Sequence, residues 1–363
     1  METPQEQGRV LSLDALRGAD MLLIIGLDGV LREGAAFLPK GAGAWLAAQM
    51  GHVEWQGLAI YDLVFPLFVF ISGVAMHLSL TRSQERGIRK LSLVGKLWIR
   101  AALLIMLGWL VNGNLTWDPQ HMRYASVLGL IGISCAVAGC TGLALRHWWQ
   151  KAVAACLLLL AVGGLQYYGG DMTPDGCVNA CIDTLLCPGQ LHHGALDPEG
   201  PLCIVSATAL CLCGMLAGSA LCAGRQRWRA RWRTALALAG VGLFLLVLAM
   251  GSGPIIKKIW TPAFAAASAG VGYLLLALFH QLFDGERGAM WSFPLRVVGA
   301  NALFIYLITH VLPFGGLSQR IFCGLQHELL PEAWQGISQP LCALLLAWLL
   351  CYYLWRRQIF IKL

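Results

Sequence analysis

The stretch HVEWQGLAIYDLVFPLFVFISG, from His52 to Gly73, decides how the rest of the chain is read. It opens on His52, Glu54, Trp55 and Gln56, carries one more carboxylate at Asp62, and then runs uncharged through Val, Phe, Ile and Leu. The run continues to about position 80, which supplies the roughly 20 apolar residues that cross about 30 Å of hydrocarbon as a helix. A strand of a membrane barrel would alternate apolar and polar residues instead. The segment therefore reads as a membrane helix with ionisable groups at its mouth.

Runs of the same length recur on both sides of it. Spans are expected at about 11–30, 57–80, 92–111, 124–145, 150–168, 201–222, 234–251, 260–283, 293–312 and 338–355. Composition agrees: 58% of residues are hydrophobic and 12% are charged, mean hydropathy is +0.65, and soluble domains carry about a quarter charged residues. The expected fold is thus an all-α polytopic bundle of about ten transmembrane helices, because only internally hydrogen-bonded helices or closed barrels are stable in lipid. No internal repeat or low-complexity tract stands out, so residues 1–363 read as a single membrane domain and an inverted-repeat transporter gains no support. The first run lacks a cationic leader and carries Asp14, Arg17, Asp20 and Asp28, so it reads as a retained helix rather than a signal peptide.

Charge sets the expected orientation. Of the 26 Lys and Arg residues, 20 fall on the side of the N-terminus when alternate connections are assigned to alternate sides, and six (Arg32, Lys40, Arg123, Lys257, Lys258 and Arg320) fall on the other. By the positive-inside rule both termini are cytoplasmic, as in a protein of the bacterial inner membrane. The same asymmetry explains the net charge of +7 without nucleic acid, and the RQRWRARWR run from Arg225 to Arg233 reads as a cytoplasmic stop and lipid contact.

Three external segments, about 31–56, 169–200 and 313–337, are long enough to carry a site. The second holds Cys177, Cys181 and Cys187 of the chain's thirteen cysteines, and leaves open a disulfide among them. Their spacing lacks a firm fourth ligand even with His192 and His193 nearby, so no metal is expected.

Ionisable residues inside or beside a span are costly and mark candidate sites. His52 leads, because imidazole takes a proton from an attacking amine or hydroxyl near neutral pH; a histidine that only anchors a helix end is the alternative. Asp28 is placed to orient that imidazole or bind an acceptor amine, with Trp55 and Asp62 beside it. Asp197 and Glu199 precede an apolar span in LDPEGPL, where they read either as a helix start or as sugar ligands, joined by His192 and His193. Lys258 stands at an external helix start that also suits a snorkelling anchor. Asn301, Tyr306 and His310 share helical spacing in the ninth span; Asn301 suits an interhelical contact, and His310 is a second acid or base. No Walker loop and no G-x-S-x-G elbow is present, which disfavours ATP-driven transport.

Taken in order, SLDALRG (Ser12–Gly18), the His52–Gly73 stretch, LGWLVNG (Leu107–Gly113), IDTLLCPGQLHHGALDPEG (ending at Gly200), KKIWTPAF (Lys257–Phe264) and GANALFIYLITH (ending at His310) resemble the heparan-α-glucosaminide N-acetyltransferase family and its bacterial membrane relatives. The resemblance implies a transmembrane acyltransferase that takes acetyl from cytoplasmic acetyl-CoA and delivers it to the amine of a terminal glucosamine on the far side, and it implies a homodimer. It places His52 at the family's catalytic histidine, and Asp28 where an asparagine is usual. The chain is expected to depart from the lysosomal members in their large luminal domain, since about seven residues precede the first span region. A cytoplasmic basic rim, with Arg17 and its neighbour Asp14, Arg82, Arg86 and Lys96, suits the phosphates of CoA. Two rivals stay open: an amino-sugar permease, and an O-acetyltransferase of an envelope glycan.

Overall fold

The computed structural model describes residues 10–113, 121–192, 194–223, 228–285 and 288–361. His193 and Arg225 to Arg227 lie outside the described residues. The architecture is all-α: among the described residues, β pairing is limited to two isolated bridges, Gln56 with Ile256 and Arg123 with Gly189.

Among the described residues, eight helices are long and apolar enough to cross a membrane, and a bent pair makes nine. The pair is Phe293–Gly299 and Ala302–Val311, which meet at 68°. The first expected span takes a different form. Helix α1 (Leu11–Leu22) passes through a π-helical turn at Leu23–Leu27 into α2 (Asp28–Gly34), and Gly26 within that turn has φ of 132°. A side chain rarely adopts that backbone, so the glycine permits the break, and the apolar run that sequence treats as one helix is two short ones. The chain is an integral membrane protein with eight or nine candidate spans.

The helices form two compact units. One comprises the chain through Val53, Ala59–Val64, and Leu278 to the C-terminus; the other comprises Glu54–Leu58 and Phe65–Ala277. In the first, α1 packs on α13 (Phe293–Gly299) through glycines: a Cβ on Gly18 would collide with the carbonyl of Leu295, and one on Gly299 with the carbonyl of Asp14. The N-terminus of α1 is closed by Asp284, whose carboxylate accepts from the Ser12 amide at 2.9 Å and its hydroxyl at 2.7 Å, and also meets Nδ1 of His280 at 2.7 Å. At the break between α13 and α14 (Ala302–Val311), buried Asn301 donates to the Ile359 carbonyl and accepts from the Ile361 amide, pinning the C-terminal segment.

Of the helices that build the second unit, α4 (Val64–Glu85, in it from Phe65), α6 (Val127–Ala144), α9 (Pro201–Ala223) and α11 (Pro262–Phe283, in it through Ala277) each bury more than half of their apolar span, whereas α5 (Lys90–Val111), α7 (Trp148–Tyr168) and α10 (Trp228–Gly251) bury less than a quarter. The inner helices are apolar on all faces, as a helix surrounded by protein in lipid must be. Their close approach is backbone on backbone. Gly73 of α4 faces the Cys211 carbonyl of α9, and Gly214 of α9 faces the Phe70 carbonyl of α4, the small-residue crossing expected where lipid supplies no hydrophobic drive between helices.

Candidate functional site

In the first unit, the segment between α3 (Lys40–Gln49) and α4 carries His52. Its Nδ1 lies 2.8 Å from Oδ1 of Asp62, which sits in the 3-10 turn Ile60–Leu63 that opens α4. The Asp62 side chain is 1% exposed and that of His52 is 56% exposed. Oδ2 of Asp62 accepts from the backbone amides of Val53 at 3.3 Å and Ala59 at 3.1 Å. A carboxylate holding two backbone N–H groups is stabilised in its ionised, acceptor-only form. Nδ1 must then be the donor nitrogen, a tautomer assigned from the hydrogen-bond network, and Nε2 is left as the ring's acceptor.

The segment around His52 is held at further points. Nη2 of Arg32 donates to the Met50 carbonyl at 2.7 Å, and the Ile60 amide donates to Oε1 of Gln49 at 3.1 Å. The Tyr61 ring stands beside the imidazole with centroids 5.0 Å apart. Asp28 lies one helical turn before Arg32, at 4.0 Å from its guanidinium. The carboxylate within hydrogen-bond distance of the imidazole is Asp62.

A second polar cluster lies in the other unit. Arg123 donates from Nε to Oδ2 of Asp197 at 2.8 Å and from Nη2 to Oδ1 at 2.7 Å, and it also pairs with Glu199. This is the planar fork of a guanidinium on a carboxylate. Asp183, fully buried on α8 (Val178–Leu186), accepts from the Asp197 amide at 3.0 Å through Oδ2, so a third carboxyl group joins the cluster. Burial raises the Asp183 carboxyl to about 6, and the neighbouring Asp197 charge adds to the rise. Burial and Asp197 also push Glu199 up, against the pull of Arg123, while the guanidinium holds Asp197 low. Among the described residues one guanidinium faces these three carboxyl groups, which it cannot neutralise together, so the cluster retains a proton near neutral pH. Burial and the Arg123 charge depress the imidazole of His192, whose amide donates to Asp197 at 3.2 Å.

No family model matches the chain. Heparan-α-glucosaminide N-acetyltransferase of Homo sapiens is 25% identical over 421 aligned positions covering 98% of this chain, and that of Mus musculus is 25% identical over 422 with the same coverage. The chain is a distant homologue of heparan-α-glucosaminide N-acetyltransferase. It spans 60% of the length of these two relatives.

Within this homologue of the N-acetyltransferase, the residues singled out by sequence fall into separate groups. His52 and Asp62 come together as a pair, and Asp197 and Glu199 as another around Arg123. Trp55 donates its indole N–H to the Met172 carbonyl at 2.7 Å and packs on the apolar cluster of Cys177, Ala180, Leu196, Ile256 and Ile259. Lys258 offers its carbonyl to the thiol of Cys203 at 3.9 Å. Asn301 serves the C-terminal segment, and His310 bonds through Nδ1 to the Tyr306 carbonyl at 2.8 Å on its own helix. Arg17 and Asp14 pair with each other at 3.4 Å. Cys177, Cys181 and Cys187 are separate thiols rather than a disulfide. Sequence reasoning missed Arg123 as the centre of the acidic cluster and Asp183 as its third carboxyl group. The signal for Asp183 was its placement on a short amphipathic helix within an external segment.

Proposed function

We propose that this protein is a transmembrane acetyltransferase that moves acetyl from cytoplasmic acetyl-CoA to the amine of a glucosamine-type sugar on the extracytoplasmic side, with both termini cytoplasmic. The observation that carries the reading is the bond from His52 Nδ1 to buried Asp62. It gives an exposed imidazole a defined tautomer, with Nε2 as the proton acceptor and a fixed negative charge behind it. That is the arrangement a general base needs.

In this reading the sugar amine attacks the thioester carbonyl while Nε2 of His52 takes its proton. A C–N bond forms and the C–S bond breaks, and the imidazolium returns the proton to the departing sulfur. Asp62 keeps the ring oriented and offsets the imidazolium charge. Asp28 is the acceptor-side carboxylate, and Asp197 and Glu199 act by holding their loop to Arg123.

The test is acetyl transfer from radiolabelled acetyl-CoA to glucosamine and glucosamine-ended oligosaccharides by the purified protein, beside a folded His52→Ala variant. Transfer by the parent and loss in the variant is expected. Full activity in the variant overturns the role of His52. A parent that neither binds acetyl-CoA nor acetylates any amino sugar overturns the enzyme reading.

A further inference from the structure

The second unit contains a cavity of about 660 Å³ where the C-terminal end of α4, the N-terminal end of α5, the C-terminal end of α6 and the N-terminal end of α7 converge. Arg89, Lys90, Arg146, Lys151 and His77 line it, and no carboxylate among the described residues does. Leu80, Ile88, Leu145 and Met215 supply an apolar share of the wall.

Most of these cations have an ordinary account. Lys90 donates to the Leu143 carbonyl at 2.6 Å and so closes the C-terminal end of α6. Arg89 and Arg146 are exposed and belong to the basic face expected on the cytoplasmic side. Lys151 does not fit that account. It is 9% exposed, and its ammonium has neither a hydrogen bond nor an ion pair among the described residues. It also sits in the first turn of α7, where the helix dipole already presents positive charge, and Arg89 and Lys90 stand at the matching end of α5. Cations belong at helix C-termini for stability and are unfavourable at N-termini. A cation drawn back from bulk water with no anion beside it carries a desolvation cost that a bound anion offsets. Two helix N-termini that converge with cations on one carboxylate-free cavity are badly placed for stability alone and well placed for an anion.

We infer that this cavity binds the phosphate groups of a phosphorylated organic ligand, with Lys151 as the enclosed contact and Arg89 and Arg146 as the planar donors at its rim. The volume and the mixed lining fit a ligand with more than one anionic group and an apolar portion. Two sources share that chemistry: a soluble phosphate ester such as the phosphorylated end of the acyl donor, and an anionic lipid headgroup. The first source rests on the acetyltransferase reading and the second does not.

The experiment uses the full chain in nanodiscs of neutral phosphatidylcholine, titrated with adenosine 3′,5′-bisphosphate and followed by calorimetry, for the parent, Lys151→Met and Arg146→Gln. A second arm uses native mass spectrometry of the same proteins from nanodiscs containing phosphatidic acid. Saturable bisphosphate binding that weakens about 10- to 100-fold in Lys151→Met, the loss expected for one charge-assisted contact, assigns the soluble source. Retained phosphatidic acid that the variants release, with no bisphosphate binding, assigns the lipid source. Parent and variants alike in both arms overturn the inference. Lys151→Met is also expected to melt higher than the parent in phosphate-free buffer, which separates loss of the site from loss of the fold. His52→Ala must leave bisphosphate binding intact, so this site and the acetyl-transfer reading fail independently.

Discussion

Asp62 is buried and His52 is more than half exposed, yet Oδ1 of the one and Nδ1 of the other are 2.8 Å apart, so a charge kept out of water governs an imidazole that meets it. The other oxygen of Asp62 is committed to the amides of Val53 and Ala59. The carboxylate is therefore fixed by the backbone, and the ring follows it.

Asp62→Asn tests that order of control. Its amide oxygen can keep the backbone amides, and its NH₂ then faces Nδ1 and makes that nitrogen the acceptor, so Nε2 loses the lone pair needed for proton abstraction. The expected result is a fall in kcat for acetyl transfer of about 10²- to 10⁴-fold with a small change in KM. Steady-state kinetics on folded protein checks it; a change in KM alone would move Asp62 from orientation to binding.

Arg123→Met should destabilise the second unit by about 3–5 kcal/mol, because it leaves the buried carboxylate of Asp197 without its cation. Adding Asp197→Asn should recover part of the loss. Thermal unfolding of the single and double variants in detergent gives the coupling, and additive losses would show that the three groups do not act as one cluster.

Asp183 makes stability depend on pH. Its folded carboxyl titrates at about 6 against an ordinary 3.8, so its protonated form is favoured in the fold. The contribution is fully present below 3.8 and is lost as pH rises to 6, about 3 kcal/mol in order of magnitude. Asp183→Asn, which keeps a neutral side chain, should raise the melting temperature relative to the parent above pH 6 and match it below pH 4. A difference that is constant with pH would rule out the titration.

Gly73→Ala and Gly240→Ala make a matched pair. A Cβ at Gly73 would strike the Cys211 carbonyl, whereas one at Gly240 meets nothing within 4 Å. The first should cost about 1–3 kcal/mol or more through overpacking, and the second should be neutral or stabilising by up to about 1 kcal/mol. Melting temperatures of the two variants decide it.

Sequence alone determined that the chain is an all-helical membrane protein, since runs of about 20 apolar residues leave the backbone no other way to satisfy its hydrogen bonds in lipid. It also singled out His52, because an ionisable group at the mouth of an apolar run is conspicuous without coordinates. The partner of His52 was not legible. Asp28 and Asp62 are both carboxylates near the same mouth, and only the 3-10 turn at Ile60–Leu63 decides which one reaches Nδ1. The break of the first span at Leu23–Leu27 was hidden for a similar reason: hydropathy counts apolar residues and is blind to the φ of Gly26. The Arg123 cluster joins residues more than 70 positions apart, and no periodicity encodes such a pairing. Solvent preference is local to each residue and can be read in sequence, whereas which polar groups share one desolvated site depends on distances that exist only once the helices have packed.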